Sequence, residues 1–127
     1  MQLNQQANEQ ILNSARTKIA GREKLICLLS TQQFLMVDLG SQAVERHPLP
    51  YMANLIKAFD AAPDMMFVAC NVNQKGYLMV MTTTEKIEVP DEHPSLLTDI
   101  LYFQRGENKI IFTACEQEIR VYTLTGN

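Results

Sequence analysis

Two histidines and three cysteines are the residues of this chain best suited to metal or nucleophile chemistry. His47 and His93 each precede a proline, and Cys70 and Cys115 follow them at matching distances. Two His and two Cys form a zinc donor set, but zinc sites draw ligands as close pairs, and none occurs here. "FVAC" and "FTAC" are apolar settings in which a thiol stays protonated and inert. Asp60, Asp64, Glu88, Asp91, Glu92 and Asp99 are scattered through turn-like stretches, the pattern of a solvated rim. Gly40, Gly76, Gly106 and Gly126 stand alone, so no phosphate-cradling loop is present. We therefore expect no enzyme, no catalytic residue, no metal and no cofactor.

The 127 residues carry a net charge of −3, with 46% hydrophobic and 20% charged residues. That balance suits one soluble globular domain over 1–127 and speaks against nucleic acid or an anionic membrane as partner. "MQLNQQANEQ" has neither the basic start nor the apolar core of a secretory signal. Three cysteines, an odd number without a CxxC, point to reduced, buried thiols and a cytoplasmic setting.

Elements must hold these residues in place. Over 3–21, Ile11, Leu12, Ala15 and Ile19 fall at helical spacing and Gly21 sits where a helix would stop. We expect an N-terminal helical segment over 1–21, followed by repeated β units over 22–127. "KLICLLS" and "FLMVDL", "MMFVAC" and "YLMVMT", and "KIIFTAC" and "IRVYTL" are paired apolar runs divided by short polar turns, which predicts hairpins. The second run of each pair starts at residues 34, 77 and 119, a period of about 42, which marks an internal repeat.

The third unit resembles the WD-repeat family in spacing. "DILYF" matches the innermost strand, "QRGEN" the turn after it, "IIFTAC" the second strand and "IRVYTLTG" the third; "MVDLGS" in the first unit keeps the Asp of the family's third-strand ending. The chain departs from the family in having no Trp and in placing His-Pro where Gly-His is usual. The Asp–His–Ser/Thr–Trp hydrogen-bond set of that family is therefore expected to be missing. The resemblance implies about three propeller-like blades, a partial arc whose open edges call for another chain.

A second architecture competes. Met52, Leu55, Ile56 and Phe59 sit at i, i+3, i+4 and i+7, and "PSLLTDILYF" repeats the pattern less cleanly. Helices over 51–62 and 94–103 would make an α+β domain, helices packed on an antiparallel sheet. The first architecture implies a non-enzymatic scaffold or adaptor that presents "NVNQKG", "VPDEHPS" and sheet edges to a protein partner or a second copy. The second implies a small dimeric cytosolic protein, chaperone-like or adaptor, binding a protein or small ligand. Tyr51, Met52, Phe59, Tyr77 and Tyr102 are the expected contact residues, since Tyr and Met concentrate at interface centres.

Overall fold

The structure, a computed structural model, describes residues 9–125. Eleven strands are present among them, and every one pairs antiparallel with its neighbour in sequence within its sheet. The first sheet holds β1 (Ile11–Ile19), β2 (Arg22–Leu29), β3 (Gln33–Asp38) and β4 (Val44–Pro48) in that order. The second holds β5 (Met52–Lys57), β6 (Met65–Val72), β7 (Lys75–Thr82) and β8 (Lys86–Glu88). The third holds β9 (Leu97–Arg105), β10 (Asn108–Cys115) and β11 (Ile119–Thr125).

Three expectations are corrected. The N-terminal helix fails over its described part, because residues 11–19 form β1; residues 1–8 of that segment lie outside the described residues. The partial arc behind a helix gives way to an all-β chain of three separate antiparallel sheets, none closed. The α+β alternative fails too, since β5 and β9 occupy the stretches that it makes helical.

The reasons are local. In β1 the inward positions are Asn13, Ala15, Thr17 and Ile19, a period of two. Ala15 and Ile19 also fit a helical spacing, and the buried Thr17 hides the alternation behind a polar residue. Ala20 (φ 52°) and Gly21 (φ 76°) then form a two-residue turn of the primed kind that joins β1 to β2, not a helix end. In β5 and β9 a bulge breaks the alternation. Ala53 pairs with Cys70 and Leu55 with Ala69, leaving Asn54 unpaired; Leu97 pairs with Cys115 and Asp99 with Ala114, leaving Thr98 unpaired. Each extra residue moves the next inward side chain from i+2 to i+3, so Ala53 and Ile56, or Leu97 and Ile100, imitate a helix face. β1 carries the same irregularity at Leu12.

The sheets meet along these bulged first strands. The Ile56 amide donates to Asn13 Oδ1 at 2.7 Å, joining the first two sheets, and Asn54 Nδ2 donates to the Leu97 carbonyl at 2.8 Å, joining the second to the third. The core has two layers. Ile26, Leu28 and Phe34 pack against Ile56, Met66, Val68 and Cys70 on one side of the second sheet. Met65, Phe67 and Ala69 pack against Leu97, Ile100, Tyr102 and Ile111 on the other. "MMFVAC" is apolar throughout because both faces of β6 are covered.

Candidate binding surfaces

The connection between β8 and β9 carries His93, fully buried between the second and third sheets. Its Nδ1 lies 3.1 Å from the Gly76 carbonyl, which can only accept, so Nδ1 holds the proton. Burial holds the ring below its ordinary pKa and therefore neutral, and Nε2 accepts from the Thr113 hydroxyl at 2.8 Å. The β8–β9 connection is thus tied to β10 by a buried His–Thr bond. His47 lies instead against Phe34, ring centroids 5.0 Å apart, and the position on β6 that corresponds to Thr113 is Val68. Gly76 lets the connection approach, since a Cβ there would stand 2.6 Å from the Ser95 carbonyl oxygen.

The cysteines are free and buried. Burial, reinforced by the charge of Glu88, pushes Cys70 up to about 11. Burial also raises Cys115, but hydrogen bonds from Gln117, Ser95 and Glu118 outweigh it and leave that thiol below its ordinary value. Cys70 faces the layer between the first two sheets and Cys115 the layer between the last two. Among the described residues no group of three or more His, Cys, Asp or Glu gathers as metal ligands would. Among the same residues no helix is long and apolar enough to cross a membrane, which leaves strand-built spans unaddressed.

The five expected contact residues separate. Tyr102 is core: its ring packs 5.5 Å from Phe67 and 6.0 Å from Phe59. Phe59 is half-buried against the same layer, edge-on to Phe67. Met52 is exposed at the start of β5. Tyr51 and Tyr77 come together as walls of a cleft of about 340 Å³ on the second sheet, floored by Cys70 and closed by Glu88, Val89 and Pro90. The Tyr77 hydroxyl donates to Glu92 Oε2 at 2.7 Å, and the neighbouring carboxylate of Glu88 pushes the Tyr51 phenol above its ordinary pKa.

A second surface went unread in the sequence. Strand alternation turns Ile100 and Tyr102 of β9 inward and Leu101 and Phe103 outward. Leu101 pairs across β10 with Phe112, and Phe112 with Val121, so these side chains share the outer face. Leu101 is 53% exposed, Phe103 44%, Ile119 71% and Val121 57%. Phe103 and Phe112 stack at 5.6 Å. The signal was present in "DILYF", apolar at both parities, but parity alone does not say which side is covered. On the first sheet the side away from the second carries Cys27, Leu29 and Leu35, all buried.

No protein-family model, no curated protein and no solved structure matches the chain.

Proposed function

We propose that the chain is a non-enzymatic protein-interaction module whose third sheet docks another protein chain, or a second copy, through its outer face. One comparison within the molecule carries the reading. Phe67 on β6 pairs with Val80, and both are fully buried beneath the third sheet. Phe112 on β10 holds the corresponding place, pairs with Val121, and turns it towards solvent with Leu101 and Phe103. A sheet face built like a covered one, yet left uncovered, marks an interaction site. The outer edge of β11 adds unpaired backbone beside that face, because no fourth strand flanks it among the described residues. The His93–Thr113 bond supports treating the third sheet as WD-repeat-like, a family whose members present surfaces rather than catalyse. Free buried thiols suit a cytoplasmic setting for such a module.

A photo-crosslinking amino acid in place of Val121 tests the docking face inside cells. The expected product is a discrete crosslinked protein band, with a matching probe at exposed Glu85 as the background control. Equal, diffuse labelling from both positions would overturn the assignment, and the mass of the product separates a second copy from a different chain.

A further inference from the structure

We infer that the Tyr51–Tyr77 cleft is a receptor for an alkylammonium group, an aliphatic stem ending in a positive charge, as on a lysine side chain or a small aliphatic amine. The inference goes beyond docking at the third sheet, because the cleft belongs to the second sheet and to a different core layer. Its volume of about 340 Å³ lies at the small end of ligand pockets, suited to a side chain rather than a large cofactor. The walls are largely apolar, with Val72, Met79, Val89 and Pro90 to meet a methylene stem. The floor is the neutral thiol of Cys70.

Charge selects the head group. Glu88 is the charged residue that lines the cleft, and Glu92 stands at the hydroxyl of Tyr77. Among the described residues neither carboxylate joins an ion pair, whereas Asp38, Glu9, Asp99, Glu23 and Glu118 each have a Lys or Arg partner. Lys75 on β7 directs its ammonium to the Pro94 carbonyl at 3.3 Å instead. An anion entering the cleft would meet Glu88, and a neutral apolar guest would strip water from that carboxylate without replacing it. A cation answers both, and tyrosine rings add their own attraction for it. The Tyr77 ring is anchored through its hydroxyl to Glu92, and Tyr51 lines the same cleft as Glu88, so aromatic wall and negative charge are positioned together before any ligand arrives.

The test is an amide-resolved NMR titration with pentylammonium at low ionic strength and neutral pH, with 1-pentanol as the uncharged analogue. Pentylammonium should shift the amides of Cys70, Tyr77 and Val89 saturably, with a dissociation constant on the order of millimolar, and pentanol should bind about tenfold more weakly. Glu88→Gln should weaken pentylammonium by roughly fivefold to tenfold while leaving the spectrum of the first and third sheets unchanged. If that variant does not fold, Glu92→Gln, on an exposed residue, supplies the same comparison. Equal binding of amine and alcohol, no loss in either variant, or shifts mapping away from the cleft would overturn the inference. N-acetyl-lysine N-methylamide identifies the source: binding as tight as pentylammonium assigns a protein lysine, and weaker binding assigns a free amine. The crosslinking result at Val121 is unaffected by any of these outcomes.

Discussion

Thr113 is fully buried, and its hydroxyl has one partner, the Nε2 of His93. Thr113→Val keeps the shape and removes the donor, leaving a buried ring nitrogen unsatisfied; urea unfolding should register a loss of about 1–3 kcal/mol. Thr113→Ser should restore most of it. Val68→Thr, the reverse change on β6, should also destabilise, since a hydroxyl would enter an apolar layer. Asp38 supplies a second residue-level prediction. Arg22 bonds its carboxylate at 2.5 Å, Lys24 at 3.2 Å, and the Gly40 and Ser41 amides each donate at 2.9 Å. The Arg22 bond foremost, with the Ser41 amide next, holds Asp38 well below the usual carboxylate range. A depressed carboxylate contributes stability that is complete above the unfolded pKa of about 3.9 and is lost as pH falls towards the folded one. Stability measured from pH 7 down to pH 2.5 should therefore fall more steeply for the wild type than for Asp38→Asn, and the two curves should converge in acid. Parallel curves would count against the assignment.

At the level of elements, the hairpins were legible and the first strands were not. β2, β3, β6, β7, β10 and β11 are short apolar runs bounded by polar turns, and such runs have no room for a helix. β1, β5 and β9 carry the bulges and the inter-sheet asparagines, so their inward residues are polar or fall at i+3. The features that join the sheets are the ones that disguise the strands. Of the candidate surfaces, the Tyr51–Tyr77 pairing was half legible, because aromatic content could be counted while the fold-back that brings the bend before β5 onto β7 could not. The tight passage at Gly76 was invisible as well, since an isolated glycine reads as a turn. Its consequence is measurable. Gly76→Ala would place a methyl 2.6 Å from Ser95 O and 3.0 Å from Leu97 N, both backbone atoms. The connection bearing His93 must shift, at a cost of about 1–3 kcal/mol. Gly106→Asn is the control: its φ of 63° suits Asn and open space surrounds it, so chemical denaturation should show a change within about 0.5 kcal/mol.

At the scale of the whole molecule, burial is asymmetric. The second sheet is covered on both faces, and the first keeps Cys27, Leu29 and Leu35 buried on its far side. The third turns Leu101, Phe103, Ile119 and Val121 to solvent on one face, whereas the large apolar side chains exposed on the first two sheets, Ile11, Leu12 and Met52, sit at the starts of β1 and β5. From their fractional exposure the patch amounts to on the order of 400 Å², within the range of functional patches but short of the ~800 Å² per partner of a stable interface. Self-association through this face should therefore be weak and concentration-dependent, with a larger or better-fitting partner surface needed for a tight complex. Sedimentation velocity across a hundredfold range of concentration should show the weight-average mass of the wild type rising, and a hydrophobic dye should fluoresce on the native protein. Leu101→Asp with Val121→Asp places a carboxylate on each of the two strands that flank β10, so the double variant should stay monomeric and lose most of the dye signal. Both substitutions point to solvent, so the urea midpoint should hold close to the wild-type value. Matching sedimentation and dye profiles for the two proteins would mean that the third sheet tolerates its exposed face without a partner, and the docking role would have to be abandoned.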